Sequence, residues 1–549
     1  MAEQDTLKSI AKAIQASKSF VVEAGAGSGK TRSLIDTIRS QLLLLRDSYE
    51  ATNKRLVCIT FTNVAKDEIS NRLNQDDLVL VDTIHEFLWR VISPFQAELK
   101  IEAIAQNALD NKGKIDNLEA ILGSISITYG QFGRHFDRGE LFHDDVLSFA
   151  ASLFEKYPKI VRLAADQYPL IFVDEYQDTS PHVIGLLLDH FVQHPRKPVV
   201  GFFGDEMQQI YESGTVALAG RADLVKITKT ENYRCSVKVI DVLNRLRSDL
   251  KQVPSGDNDP GNVHLFQSAG TNVRASERVI RSLSREGWTP ENTKVVMLTH
   301  KGIARENGYL ELMQAYGKKS LGNDRLLQRD DEFGEIFLLV EGLASSYEAG
   351  DYGKFLDLLG KNGLRIRSHT DKKAIADEMG GLNKVRVDGT VLDVVQFIAA
   401  SKLIPEPRSI RQLIASMAGD PASDDEKLSK ARVFYNAVTV VPYEQVSVFT
   451  EFVEAHTPYS TQHGVKGAEF PNVLVVVDDS LWNRYKYGGV FVGSDTRADR
   501  LARSRRLLYV SFSRARKGLA VLYLGSPASL ELDGAMKMLG VQKASSIDT

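Results

Sequence analysis

The chain has 549 residues, 43% apolar and 25% charged, with a formal net charge of −3. That much apolar material supplies several cores, so more than one domain is expected, while the near-neutral balance gives no ground for a nucleic-acid partner from overall charge, and any basic surface has to be local. Two cysteines, Cys58 and Cys235, leave no disulfide framework or zinc site, and apolar runs such as 42–45 and 473–477 are too short to cross a bilayer, so a soluble cytoplasmic protein with no membrane partner is expected.

Along the chain, short β-branched runs recur: SFVVE (19–23), RLVCITFT (55–62), LVLVDTIH (78–85), PLIFVDE (169–175) and PVVGFFGDE (198–206). Helical stretches such as KTRSLIDTIRSQLLLL (30–45) and PHVIGLLLDHFVQH (181–194) lie between them. Residues 91–140 read as largely helical. PSGDNDPGN (254–262) is the clearest breaker cluster, placed just inside a second core. The strand pattern returns in KVVMLTHK (294–301), VSVFTEF (446–452), NVLVVVDDS (472–480) and GLAVLYLG (518–525), and 345–440 carries charge and helical periodicity. Strands alternating with helices imply parallel sheets with crossover helices. The predicted organisation is a first α/β domain over 1–90 and 141–233 with a small helical insertion at 91–140, then a second over 234–344 and 441–549 with a mainly helical insertion at 345–440. No internal repeat or low-complexity tract occurs.

VVEAGAGSGKT joins a strand to a helix and follows the phosphate-loop pattern G-x-x-x-x-G-K-[ST], with Ala24 in place of the first glycine. Gly25, Ala26, Gly27, Ser28 and Gly29 would turn backbone N–H groups around phosphate oxygens at a helix N-terminus. Lys30 would reach the β- and γ-phosphates, Thr31 would offer its hydroxyl to Mg²⁺, and Arg32 follows in the same nucleotide-binding run. Such a loop needs acids at the end of a neighbouring strand. In IFVDEYQDTS (171–180), Asp174 suits the Mg²⁺ position and Glu175 the residue that orients the attacking water. The nucleotide is expected to be ATP or a relative.

Seven motifs occur in order: ITFTNVAKDEISNRL (59–73), TIHEFL (83–88), VDEYQDTS (173–180), GDEMQQIY (204–211), NYRCS (232–236), TQHGVKGAEF (461–470) and RRLLYVSFSRARK (505–517). Their types and order resemble the UvrD/Rep/PcrA family of superfamily 1 DNA helicases, densely over 20–90, 140–236 and 458–525 and thinly between 303 and 457. The resemblance implies two RecA-like domains with parallel sheets, ATP in the cleft between them, and single-stranded DNA across the top of both. It implies that Gln208 senses the γ-phosphate, that Arg234 and Arg514 reach it from across the cleft, and that Glu469 contacts the ribose. Phe61, Thr62, Asn63, His85, Tyr211 and His463 match positions along the DNA path, where aromatic faces stack on bases without sequence preference.

The match departs from the family in places. Tyr211 is followed by Glu212, Ser213, Gly214 and Thr215, so the usual base platform and arginine of motif III are missing. Arg503-Ser504 stands where acids usually precede motif VI, and Gln4 is the nearest candidate for reading adenine. LFHDDVL (141–147) reads as structural, its acids facing solvent or paired with arginines. Of RSRR (503–506) and RARK (514–517), only Arg514 takes a role.

The leading reading is an ATP-dependent translocase or helicase moving 3′ to 5′ on single-stranded DNA or tailed duplex. The compact insertions and altered motif III keep a second reading open: a DNA- and nucleotide-sensing ATPase that regulates a partner nuclease. Anti-phage systems of the Gabija type pair a UvrD-like protein with an OLD-family nuclease in this way. A binding module without hydrolysis is disfavoured, because every position that hydrolysis needs is filled.

Overall fold

A computed structural model describes residues 2–109, 113–130, 133–210, 218–269, 274–318, 322–361, 369–401, 411, 426–454, 458–480 and 483–547. The chain divides into two compact units, 1–262 with 496–518 and 263–495 with 519–549. Each is a RecA-like α/β layer built on a six-stranded sheet.

In the first unit the strands are β1 (Phe20–Ala24), β2 (Leu56–Thr60), β3 (Val79–Thr83), β4 (Leu170–Asp174), β5 (Val199–Gly204) and β6 (Val225–Lys229), in spatial order β3-β2-β4-β5-β1-β6. Neighbours run parallel throughout. β1, β2, β4 and β5 are buried along their whole length, as strands covered by helices on both faces must be. Alternate residues therefore feed two cores. Phe20, Val22, Cys58, Phe172 and Phe203 pack with Leu34, Ile35 and Ile38 of the helix Lys30–Thr52. Val21, Val57, Ile59, Val173 and Phe202 face the other way, onto Phe87, Leu88, Phe149 and Leu153. Gly201 sits opposite Phe20 in the sheet, and a Cβ there would lie 2.4 Å from the Phe20 ring.

Parallel pairing brings the carboxyl ends of β1, β2 and β4 to one edge, where open α/β sheets hold ligands. The segment between β3 and β4 carries the helices Gln96–Leu109 and Leu118–Gly123 and a two-strand pair, Thr128–Tyr129 with Glu140–Leu141. In the LFHDDVL stretch, Asp145 is buried and paired with Arg134, and its carboxylate also accepts from Phe142 N–H at 2.9 Å to cap the helix His143–Lys156.

The second sheet has β7 (Asn262–Ser268), β8 (Thr293–Met297), β9 (Tyr459–Thr461), β10 (Phe470–Val477), β11 (Ala515–Leu524) and β12 (Ser545–Ser546), ordered β9-β8-β10-β11-β7-β12. β8 lies parallel to β9 and β10, and β7 to β12. One core joins Val295, Leu474 and Val476 of the sheet to Phe333, Phe337, Val395, Phe434, Tyr443 and Phe449 of the helices. The strand predicted at VSVFTEF is instead part of the helix Glu444–Val453. Val446, Phe449 and Thr450 are buried there, at the i, i+3, i+4 spacing of one helix face. Among the described residues no helix is long and apolar enough to cross a membrane.

Candidate nucleotide site

β1 ends at Ala24, and the chain then turns through Gly25–Gly29 into the helix that opens at Lys30. Gly27 and Gly29 take φ of +71° and +77°, a region that side chains rarely adopt. A Cβ on Gly27 would lie 2.7 Å from both Arg234 Cβ and Asn232 Oδ1, so the NYR segment presses directly on the loop. Gly29 is the helix N-cap and offers no side-chain acceptor to the first-turn N–H groups. Ser28 Oγ is buried with no hydrogen-bond partner. Lys30 is buried with its Nζ 3.5 Å from Ala24 O; Thr31 is half-buried, and Arg32 is exposed beside Asp36.

Four side chains or backbone groups distant in sequence hold the loop. Asn232 Nδ2 and Gln252 Nε2 donate to Ala26 O at 2.9 and 2.8 Å. Ala26 N–H donates to the Tyr509 hydroxyl at 3.1 Å, and Tyr233 N–H to Gly27 O at 2.9 Å.

Asp174 closes β4 and is buried. Burial, then the charge of Glu175, raises its carboxyl above the ordinary range against the pull of Lys30. Glu175 follows at φ +49°, a left-handed conformation for a residue with a Cβ. Its N–H donates to Asp174 Oδ1 at 3.1 Å, and its carboxylate accepts from Gln177 Nε2 at 2.5 Å. Gln177 Oε1 in turn accepts from Asp205 N–H at 3.1 Å.

Gln208 is buried in the short turn Glu206–Gln208 after β5, where its Nε2 donates to Asp205 Oδ2 at 2.9 Å. Arg514 is buried on the same unit. It donates to Val510 O at 3.0 Å, to Ser513 Oγ at 2.8 Å and to Gln208 Oε1 at 3.4 Å. Arg234 is half-buried against the loop, its N–H donating to Asn232 Oδ1 at 3.0 Å. The compact unit thus brings together Lys30, Asp174, Glu175, Gln208, Arg234 and Arg514. A triphosphate and a divalent cation fit this set: a buried hydroxyl lacks a partner, a helix start lacks a cap, and a buried lysine faces a buried carboxyl.

Sequence reasoning missed Tyr233, Arg247, Gln252 and Tyr509. NYRCS displays Tyr233, which is exposed beside the loop, but Arg247 reads as an ordinary basic residue at a helix end, and Tyr509 as one more core ring in RRLLYVSF.

Among the DNA candidates, Phe61, Thr62 and Asn63 sit at the carboxyl end of β2, exposed, with Thr62 Oγ1 accepting from Ala65 N–H at 3.2 Å as a helix cap. His85 lies on the helix Ile84–Ile92, its ring 4.9 Å from that of His143. Burial, then His143, lowers its pKa. Tyr211 and residues 212–215 lie outside the described residues, as does the side chain of Gln4. His463 and Glu469 belong to the second unit. There His463 is half-buried with its Nε2 3.4 Å from the Tyr485 hydroxyl, and Glu469 is exposed just before β10.

The AAA domain family matches residues 7–214. The Gabija protein GajB of Bacillus cereus (strain HuB5-5) is 24% identical over an alignment covering 96% of each chain. The ATP-dependent DNA helicase PcrA of Staphylococcus aureus (strain Mu50) is also 24% identical, but over 48% of this chain and 43% of its own length. A crystal structure of arterivirus nonstructural protein 10, a helicase, overlaps at a TM-score of 0.29 and 11% identity, covering 94% of this chain and 61% of that one.

Proposed function

We propose that this chain, a UvrD/PcrA-like superfamily 1 protein of the Gabija kind, hydrolyses ATP at the 25–31 loop and uses the cycle to move 3′ to 5′ along single-stranded DNA. The observation that carries the proposal is that one compact unit holds Lys30, Asp174, Glu175, Gln208, Arg234 and Arg514, with Arg234 pressed against Gly27 of the loop and Arg514 hydrogen-bonded to Gln208. In this reading Lys30 and the loop N–H groups hold the β- and γ-phosphates. Glu175 orients and polarises the attacking water. Arg234 and Arg514 stabilise charge on the transferring phosphoryl group, and Gln208 links Arg514 to that end of the site. Thr31 and Asp174 would hold Mg²⁺, which when bound neutralises charge on the phosphate oxygens. Exposed Phe61, Thr62 and Asn63 supply an aromatic face and polar groups for a strand at the same sheet edge, with His85 on the helix that follows β3.

A second reading is favoured by the length of the match: GajB aligns over 96% of both chains, PcrA over 43% of its own. In it, the same ATPase senses nucleotide and DNA and gates a partner nuclease, with little strand separation of its own.

ATP hydrolysis with and without single-stranded DNA tests the core of both readings. DNA should stimulate the parent, and Lys30→Ala and Glu175→Gln should each lose about 10²-fold or more in turnover. Parental turnover in either variant would refute the assigned roles. Unwinding of a tailed duplex by the purified chain selects the motor; DNA-dependent hydrolysis without unwinding, together with stable co-purification of a nuclease, selects the regulator.

A further inference from the structure

Behind the phosphate loop lies a buried polar cluster that the hydrolysis chemistry does not use directly. Its centre is Arg247. The side chains of Arg247 and Asp205 are both fully buried, with Nη1 3.1 Å from Asp205 Oδ1. The same Nη1 donates to the Tyr509 hydroxyl at 2.8 Å, and the guanidinium lies 5.2 Å from the Tyr509 ring centre. Nε and Nη2 make a two-point contact with Asp249 at 3.1 and 2.6 Å.

Three arms of the site leave from this centre. Tyr509 accepts from Ala26 N–H in the phosphate loop and donates to Gln252 Oε1 at 3.3 Å, while Gln252 Nε2 donates back to Ala26 O. Asp205 Oδ2 accepts from Gln208 Nε2, and Gln208 Oε1 accepts from Arg514. Asp205 N–H donates to Gln177, whose amide donates to Glu175. A planar guanidinium with a fixed fork of donors can serve Tyr509, Asp205 and Asp249 together, whereas an ammonium cannot.

We propose that Arg247, acting through Tyr509 and Asp205, is a positioning residue that sets the phosphate loop, the Gln208–Arg514 pair and Glu175 in register for hydrolysis. The proposal rests on the ATP-hydrolysis reading above. A buried ion pair is weak evidence for stability and is often replaceable by apolar groups. The connection of this one to every arm of the site is what points to alignment. Small misplacements of reacting groups cost rate far more than they cost binding.

The test compares the full chain with Tyr509→Phe, which removes one hydroxyl, and Arg247→Lys, which keeps the charge and loses the fork. Each should lower DNA-stimulated kcat by about tenfold to a hundredfold. KM for ATP should change by less than about threefold, because the phosphate-binding groups themselves remain. Tm of Tyr509→Phe should stay within about 4 °C of the parent. If Lys30→Ala abolishes turnover while Tyr509→Phe and a folded Arg247→Lys run at the parental kcat, this proposal fails and the ATPase reading stands. A parent that hydrolyses no ATP overturns both. Should Arg247→Lys fail to fold, Tyr509→Phe decides alone, and its own loss of fold would make the hydroxyl a stability element and overturn the proposal.

Discussion

Glu23 lies in β1, two residues before the loop begins, and is buried where its neighbours in the strand are apolar. Its carboxyl accepts from the Tyr176 hydroxyl. Burial pushes its pKa up to about 7; the Tyr176 hydrogen bond opposes this, and Glu206 and Asp205 add to it. The folded state therefore holds a proton that the unfolded chain releases from about pH 4.5 upward. Stability falls as pH rises between those two values and levels off above the upper one. A shift of that size corresponds to ~3 kcal/mol. Glu23→Gln should remove the decline, so melting profiles of parent and variant from pH 5 to 8 should diverge as pH rises, the parent losing more. Parallel profiles would contradict this account. Glu175 bears a different cost: its left-handed backbone is worth roughly 1–2 kcal/mol of strain. Strain of that kind, at the strand end that carries Asp174, is typical of a site that fixes a side chain's direction.

At the scale of elements, most of the architecture was legible. Strands β1 to β5 and β8, β10 and β11 carry contiguous β-branched and aromatic runs bounded by polar or glycine turns, and these appear where expected. The helix Glu444–Val453 did not, because VSVFTEF satisfies strand propensity while its burial follows a helical face. Short apolar runs are ambiguous for this reason: packing, not local preference, selects the period. Phe449 is fully buried, with its ring 5.6 Å from that of Tyr309. Phe449→Ala should cost about 3–5 kcal/mol, read as a lower denaturant midpoint at unchanged slope for the transition of the second unit. A loss below ~1 kcal/mol would mean that the helix does not pack as described.

At the scale of the molecule, each unit has a core of its own. The two clusters around the first sheet contain residues 10–227, and the cluster around the second contains 266–524. Calorimetry should resolve two unfolding transitions. A magnesium–nucleotide at about 100 times its Kd should raise the transition of the phosphate-loop unit by roughly 5–10 °C. A single transition with equal calorimetric and van't Hoff enthalpies would show that the units unfold as one.

The phosphate loop, the Asp174-Glu175 pair and the arginines of NYR and SRA stand out as candidates in a linear string, because each is a cluster of a few adjacent residues with a demanding chemistry. Glycines at 27 and 29, a lysine at 30 and acids closing a strand have few other uses in combination. Arg247, Tyr509 and Gln252 carried no such mark. Their meaning lies in contacts between residues far apart in the chain: Ala26 with Tyr509 across 483 positions, Arg247 with Tyr509 across 262, Gln208 with Arg514 across 306. A buried guanidinium satisfied by two carboxylates and a phenol exists only once folding has removed water from all of them at once, and no local pattern encodes that event.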